Sequence, residues 1–348
     1  MRRPPAVWVV ILNWNGLADT LECLASARRL RYGNLYVVVV DNGSSSSEAD
    51  QIEGSGLADA VLQEPGNLGY AAGCNVGLRY ALGRNPDYVW LLNNDTVIDG
   101  GCLDALVTVG ESDERIGILS PVVYEFASPH EIQFAGTVVD LHGERKPTLT
   151  ALAGPAAQAN EGRLALWGTA LLIKRSVVEK IGFLDERYFA YVEDMDFSVR
   201  AIGAGFRTSV VHEAAVFHKH GASLGTGESP IREYLLARNE YLFWTTHLTG
   251  WRRVRYRFRY VPWVLRRILD ARVNGRKSTE EYIASGGWDA LRGRWGSWER
   301  RGRLPGWLRA VLNRVVLGWR PFLWVKLLEG DFRGVAAEVL RRGMKRRG

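Results

Sequence analysis

The sequence predicts an α/β fold: a mostly parallel sheet flanked by helices, followed by a basic, mainly helical C-terminal region. Three observations predict it. Short continuous apolar runs alternate with helical stretches over about residues 7–218, and strands buried on both faces read this way when helices connect them in βαβ units. Several of these runs stop at Asn/Asp/Gly turns, where the ligand crevice of a doubly wound sheet lies. Charge is also divided, since residues 252–348 carry 25 Lys+Arg against 8 Asp+Glu and the remainder 20 against 30. The expected division is therefore a catalytic domain over 1–230 and a basic, Trp-rich helical region over 231–348.

Taken in order, residues 7–12 (Val-Trp-Val-Val-Ile-Leu) are a buried strand, and the turn 13–16 leads to a helix with Leu17, Leu21, Leu24 and Ala25 on one face. Residues 35–40 are a second strand, halted by Asp41-Asn42-Gly43-Ser44. Residues 60–62 form a third strand, 75–82 a helix, and 88–92 a fourth strand ending at Asn93-Asn94-Asp95. A Gly/Ala/Pro/Thr-rich loop spans about 141–161, strand character returns over 164–173, and residues 193–205 fit a helix closed by glycines. Residues 208–220 read as strands, and from about Ile231 the period is helical.

Composition excludes several classes. An apolar content of 47% with 24% charge is that of a folded chain. No uncharged apolar run reaches the ~18 residues that span a bilayer, and the N-terminus lacks the cleavage site of a secretory signal. Three scattered cysteines provide neither a disulfide framework nor a Cys-based zinc site, which points to the cytoplasm. No Walker loop, dinucleotide fingerprint or HExxH is present.

Chemistry-bearing residues sit at strand and helix ends. The Gly/Asn-rich segment 65–77 offers backbone amides ahead of a helix, an anion cradle or simply a turn. Asp41 and Asp95 each terminate a strand; Asp95 suits a hard divalent cation on a diphosphate, although turn chemistry also explains both acids. His218 and His220 share one strand face, a spacing open to metal ligation or to ordinary surface histidines. Glu193-Asp194-Met195-Asp196 opens a helix whose dipole favours acids and keeps a base ionised. Tyr188, Phe189 and Tyr191 beside it form either a stacking wall or core.

In this order the segments resemble the family-2 glycosyltransferases of GT-A fold, most closely their bacterial rhamnosyltransferase-like branch, over residues 6–248. The resemblance rests on Val10-Ile-Leu-Asn-Trp-Asn-Gly16, Val40-Asp-Asn-Gly-Ser44, Asn67-Leu-Gly-Tyr-Ala-Ala-Gly-Cys-Asn75 and Leu92-Asn-Asn-Asp95. Further on it includes Gly168-Thr-Ala-Leu-Leu-Ile-Lys-Arg175, Phe183-Leu-Asp-Glu-Arg-Tyr-Phe189, Glu193-Asp-Met-Asp-Phe197 and His218-Lys-His-Gly-Ala-Ser223. It implies a metal-dependent, inverting transfer from a nucleoside-diphosphate sugar, deoxythymidine-diphosphate rhamnose first and uridine-diphosphate sugars next. The acceptor it implies is a saccharide or lipid-linked saccharide of cell-envelope polysaccharide synthesis. Asn13, Asn15, Asp41, Asn67, Gly69, Asn75 and Asn94 match donor-binding positions, and Asp95 and His218 match ligands of Mn²⁺ or Mg²⁺. Asp194 matches the base, with Glu193 beside it. One departure is that Asn93 and Asn94 stand where that metal motif is often acidic. A nucleotidyltransferase and a non-catalytic GT-A scaffold are the alternatives.

The basic tail adds a partner. Residues 252–259 alternate Arg with Val, Tyr and Phe, and Trp307, Leu308, Val311, Leu312, Val315 and Trp319 follow helical spacing. Arginines with interfacial tryptophans fit an anionic membrane surface, and so a peripheral location at the inner face of the cell membrane. An ordinary solvated helical cap is the plain alternative. Nucleic acid is disfavoured, because no reading motif accompanies the charge.

Overall fold

In the computed structural model, which describes residues 3–146, 160, 162–219, 229–302 and 304–311, the chain divides into two compact units, Met1–Gly227 and Glu228–Gly348. The boundary falls three residues before the expected one.

The strands of the first unit are β1 (Val7–Asn13), β2 (Leu35–Asp41), β3 (Ala60–Gln63), β4 (Tyr88–Asn93), β5 (Thr96–Ile98), β6 (Ile116–Glu125), β7 (Ile132–Phe134), β8 (Thr137–Val138), β9 (Leu164–Ala165), β10 (Ala170–Lys174) and β11 (Arg207–His218). The main sheet runs β3-β2-β1-β4-β10-β6-β11-β5, with β7 on β6, while β8 and β9 form a separate ribbon. Parallel pairing joins β3, β2, β1 and β4, and also β6 and β11, whereas β10 and β5 run against their neighbours. Only Asn94 and Asp95 separate β4 from β5, yet β5 lies at the far end of the strand path. The sheet therefore curls until β11 returns beside Asp95.

Helices α1 (Leu17–Arg28), α2 (Glu48–Gly54) and α4 (Cys102–Ser112) cover one face; α3 (Tyr70–Leu82), α5 (Arg175–Ile181) and α6 (Glu193–Gly203) cover the other. Alternation along β1 explains why both faces need cover. Val7, Val9 and Ile11 pack with Leu24 and Leu106, while Trp8 and Val10 pack with Leu78 and Phe197. Each fully buried aliphatic or aromatic side chain contributes about 1.5–3 kcal/mol.

The expected helix 75–82 starts earlier, at Tyr70, so most of the Gly-rich segment is helix rather than loop. Gly73 and Gly77 explain this, because a Cβ at either would stand 2.5 Å or less from Leu12 or Val10: the glycines let α3 lie close on the sheet. The strand expected over 164–173 is broken between β9 and β10. Residues 147–159 of the expected loop, His220 and the helical stretch beyond Val311 lie outside the described residues.

The second unit contains α7 (Pro230–His247), α8 (Gly250–Val273), α9 (Lys277–Leu291) and α10 (Gly306–Val311). Its interior is aromatic: Tyr260 is buried, donates its hydroxyl to Ala237 O (2.6 Å) and lies 4.6 Å from the Tyr241 ring. No helix among the described residues is long and apolar enough to cross a membrane.

Candidate active site

The sheet's curl builds the first half of the site. β5 pairs with β11 so that His218 faces Thr96, which brings His218 Nε2 to 3.1 Å from Asp95 Oδ1, both residues being buried. The histidine's other nitrogen is held from behind. Gln133 Nε2 donates to Glu125 Oε1 (3.0 Å), which turns the Gln133 carbonyl toward His218, 2.7 Å from Nδ1. Nδ1–H is thereby the donor to Gln133, which leaves Nε2 as the nitrogen that faces the Asp95 carboxylate. An imidazole nitrogen and a carboxylate oxygen at this distance are either bonded to each other or arranged as neighbouring ligands of one cation. Asn94 turns away from this pair, its Nδ2 donating to Thr20 Oγ1 at 3.0 Å.

The second half comes from the turn into α6. Gly168 precedes β10, which is antiparallel to β4, and Asn93 N donates to Thr169 O (2.9 Å). Residues just before β10 therefore lie at the same sheet end as the Asn94-Asp95 turn. Gly168 N donates to Asp194 Oδ2 and Met195 N to Oδ1, each at 2.7 Å, so Asp194 is tied to that end. Tyr70 OH donates to Gly168 O (2.6 Å) and fixes the same peptide from the α3 side.

Backbone strain marks the approach to this carboxylate. Phe189, Tyr191 and Val192 have φ of 67°, 69° and 79°, the left-handed region that costs non-glycine residues about 1–3 kcal/mol each. Burial of Tyr188, Phe189, Ala190 and Val192 holds the arch, as does the bond from Ala71 N to Phe189 O (3.1 Å). Gly69, at φ 85°, is required there because a Cβ would meet Phe189 O at 2.5 Å.

Glu193 and Asp194 differ in environment. Burial pushes Glu193 well above the usual carboxyl range, and the neighbouring Asp194 charge adds to the rise. Glu193 Oε2 is buried and has no hydrogen-bond partner among the described residues. Burial also pushes Asp194 up, but the two backbone amides oppose this, as does the Lys146 charge. The environments therefore differ: burial raises both acids, and two backbone amides oppose the rise at Asp194.

The remaining expected residues sit at the ends of β1 and β2 and just before α3. Asn13 is fully buried, donating to Asp41 Oδ1 and Glu48 Oε2 (2.9 Å each) and accepting from Thr20 Oγ1 (2.7 Å). Asp41 also accepts from Ser44 Oγ at 2.5 Å. Asn15, exposed at φ 52°, accepts from Ser45 N (2.8 Å) and so joins the loops after β1 and β2. Asn67 Oδ1 accepts from Gly69 N (2.8 Å).

Two expectations need correction. Asn75 does not line the diphosphate, because it is fully buried and clasps both polar groups of the Leu184 peptide (2.9 and 3.1 Å) and Glu186 Oε1. Asn13 likewise offers no side-chain group to a base. The anion cradle is also partly filled from within the protein: Leu68, Gly69 and Ala71 donate to Asn42, Asn67 and Phe189.

Residues missed by sequence reasoning are Gln133, Tyr70, Asn42 and Gly168. The last three sit inside quoted motifs, which is a weak signal, while Gln133 has none. A cavity of about 210 Å³ lined by Asp87, Tyr88, Glu111 and Lys174 lies at the opposite ends of β4 and β10 and is no part of this site.

Among the described residues no group of three or more His, Cys, Asp or Glu could hold a metal ion. Asp95 and His218 nevertheless fit a divalent ion that takes its other ligands from water and a diphosphate, a usual arrangement for Mg²⁺-type ions.

Residues 4–229 match the family model described as Glycosyltransferase like family 2. A low-salt glycan biosynthesis hexosyltransferase, Agl10 of Haloferax volcanii, is 28% identical over 67% of this chain and 74% of its own length. The N-acetylglucosaminyl-diphospho-decaprenol L-rhamnosyltransferase of Mycobacterium tuberculosis is 29% identical over 68% and 81%. Among solved structures, the Pyrobaculum calidifontis mannosyltransferase PcManGT, in complex with GDP-Man and Mn²⁺, aligns with a TM-score of 0.51 at 15% identity. It covers 93% of this chain and 84% of that one, a likeness of fold.

Proposed function

Because the chain belongs to glycosyltransferase family 2 and has the GT-A fold, we propose that it inverts configuration as it moves a sugar from a nucleoside diphosphate to an acceptor hydroxyl. The donor is deoxythymidine-diphosphate rhamnose, with uridine-diphosphate sugars as the other class. The acceptor is a saccharide or lipid-linked saccharide in cell-envelope polysaccharide synthesis. The M. tuberculosis relative, an L-rhamnosyltransferase named for a diphospho-decaprenol acceptor, supports the rhamnosyl group and the lipid-linked acceptor. On this reading the protein works peripherally at the cytoplasmic face of the cell membrane.

One juxtaposition carries the reading: the Asp95–His218 pair and the Asp194 carboxylate share one end of β4 and β10. Asp95 and His218 would hold Mn²⁺ or Mg²⁺, which supplies positive charge to the departing diphosphate. Asp194 accepts the acceptor hydroxyl's proton, with the Gly168 and Met195 amides fixing the carboxylate. Glu193 lies beside Asp194 with its Oε2 sealed from solvent, so on this reading it sets the charge around the base and does not touch the sugar. A single base facing one anomeric carbon gives one displacement and inversion. Asn15, Asp41, Asn67 and Gly69 shape the nucleotide end, and Asn94 holds α1 to the metal turn.

The test is incubation with deoxythymidine- and uridine-diphosphate sugars, with and without Mn²⁺, reading released nucleotide and the anomeric configuration of the product. Release of nucleoside diphosphate with inversion is expected. Pyrophosphate from a triphosphate would make it a nucleotidyltransferase, and failure to bind any sugar nucleotide would make it a scaffold.

A further inference from the structure

Helix α8 has two apolar faces. Tyr256, Tyr260 and Val264 form the inner face and are buried. Trp251, Val254, Phe258 and Val261, spaced 3, 4 and 3, form a second stripe that is 72%, 39%, 73% and 43% exposed. Arg252, Arg257 and Arg259 flank this stripe and are exposed. Between Gly250 and Leu269 there are seven arginines and no carboxylate. Large exposed aromatics in line on one helix mark an interaction surface.

We propose that this face of α8 docks the protein on an anionic phospholipid bilayer, which deepens the membrane reading above and rests on it. Charge complementarity selects the occupant. Arginines beside an apolar stripe match acyl chains bordered by phosphate headgroups. The chain's own C-terminal segment 312–348 is a poor electrostatic match, with nine basic residues against three acidic.

The experiment is co-sedimentation of the full chain with phosphatidylglycerol vesicles and with phosphatidylcholine vesicles, over a salt series. Binding to the anionic vesicles alone is expected. Trp251→Glu with Phe258→Glu should weaken it at least tenfold, and Arg257→Gln and Arg259→Gln about fivefold each. Phe258→Ser, a milder change at an exposed position, should act in the same direction with an unchanged melting temperature. Equal binding by wild type and every variant would move the surface elsewhere and overturn the proposal. Binding to duplex DNA, lost in the same variants and without vesicle binding, would also overturn it. Transfer to a water-soluble acceptor should be unaffected by these variants. If no sugar nucleotide supports transfer while vesicle binding persists, the function is refuted and this surface stands.

A separate observation carries a second inference. Glu125, Gln133 and His218 lie on adjoining strands β6, β7 and β11, linked by bonds of 3.0 and 2.7 Å. We infer that Gln133 is a positioning residue: it commits Nδ1 as donor and so makes Nε2 the metal-facing nitrogen. The readouts are Mn²⁺ affinity by electron paramagnetic resonance and the His218 tautomer by ¹⁵N NMR. Gln133→Leu should weaken Mn²⁺ binding about 10–100-fold. Combining Gln133→Glu with Glu125→Gln exchanges donor and acceptor and should restore most of it. Unchanged affinity in Gln133→Leu, no recovery in the folded exchange variant, or no Mn²⁺ binding by the wild type would each overturn the inference.

Discussion

The two units present their chemistry in opposite ways. In the sheet unit the side chains proposed to act are hidden and cross-braced: Asp95, His218 and Glu193 are all buried, and Asp194 is fixed by amides from two different segments. In the helical unit the notable side chains are displayed, with Trp251 and Phe258 projecting from one helix among arginines. Reaction at a point needs groups that do not move, and only long-range packing achieves that. A fluid surface needs only an accessible stripe, which helical period alone provides.

The strongest way to break this comparison is Asp194→Asn. If the braced carboxylate is the base, turnover should fall by about 10²–10⁴-fold. Nucleotide affinity, read by thermal shift, should stay within a few-fold of wild type. Near-normal turnover would show that bracing at this position serves the fold alone.

Next in size is the brace at Asn75. Asn75→Ala leaves the Leu184 peptide N–H and C=O unpaired in the core. At about 1–3 kcal/mol for each unsatisfied group, roughly 3 kcal/mol should be lost. Calorimetry should record the sheet unit melting about 6–12 °C lower. A shift under about 2 °C would mean that water or a rearranged side chain satisfies the peptide.

These two residues illustrate what the sequence discloses. Asp194 is singled out in the sequence only by the family resemblance, because acids opening a helix are also what the helix dipole favours. Asn75 reads from sequence as part of a ligand loop, since the same Asn-in-Gly pattern serves a diphosphate or a peptide bond 109 residues away. The strands were legible from apolar runs. The curl that returns β11 to Asp95 was not, because it depends on pairing between segments about 120 residues apart. Gln133 was invisible for the same reason. By contrast, the α8 stripe can be read within eleven residues.

The acid limb of the pH profile tests the division of labour between Glu193 and Asp194. Burial raises both, so ionisation of Asp194 in the folded protein occurs above the usual ~3.9. Activity should fall as pH drops through that raised value, tenfold per unit below it. The stability effect has the opposite sign. With folded values raised, the pair stabilises fully below the unfolded carboxyl range and loses that stabilisation as pH rises through the folded values. Glu193→Gln should leave the acid limb of kcat/KM in place, because the amide-held Asp194 is the proposed base. Disappearance of the limb in Glu193→Gln would exchange their roles.

The smallest effect is expected at Phe258, and it is best read against the same residue type buried in the other unit. Phe134 on β7 is fully buried and stacks 4.2 Å from the Trp167 ring, so Phe134→Ala should cost about 3–5 kcal/mol through lost burial and the cavity left behind. Phe258 is already in water over most of its surface. Removing it with Phe258→Ser gives up little burial and leaves no cavity, and stability should change by no more than about 0.5 kcal/mol. Denaturant melts of the two variants measure both values. A large loss at Phe258 would mean that the ring packs within the protein in solution, and the distinction between braced and displayed residues would fail where it is drawn most sharply.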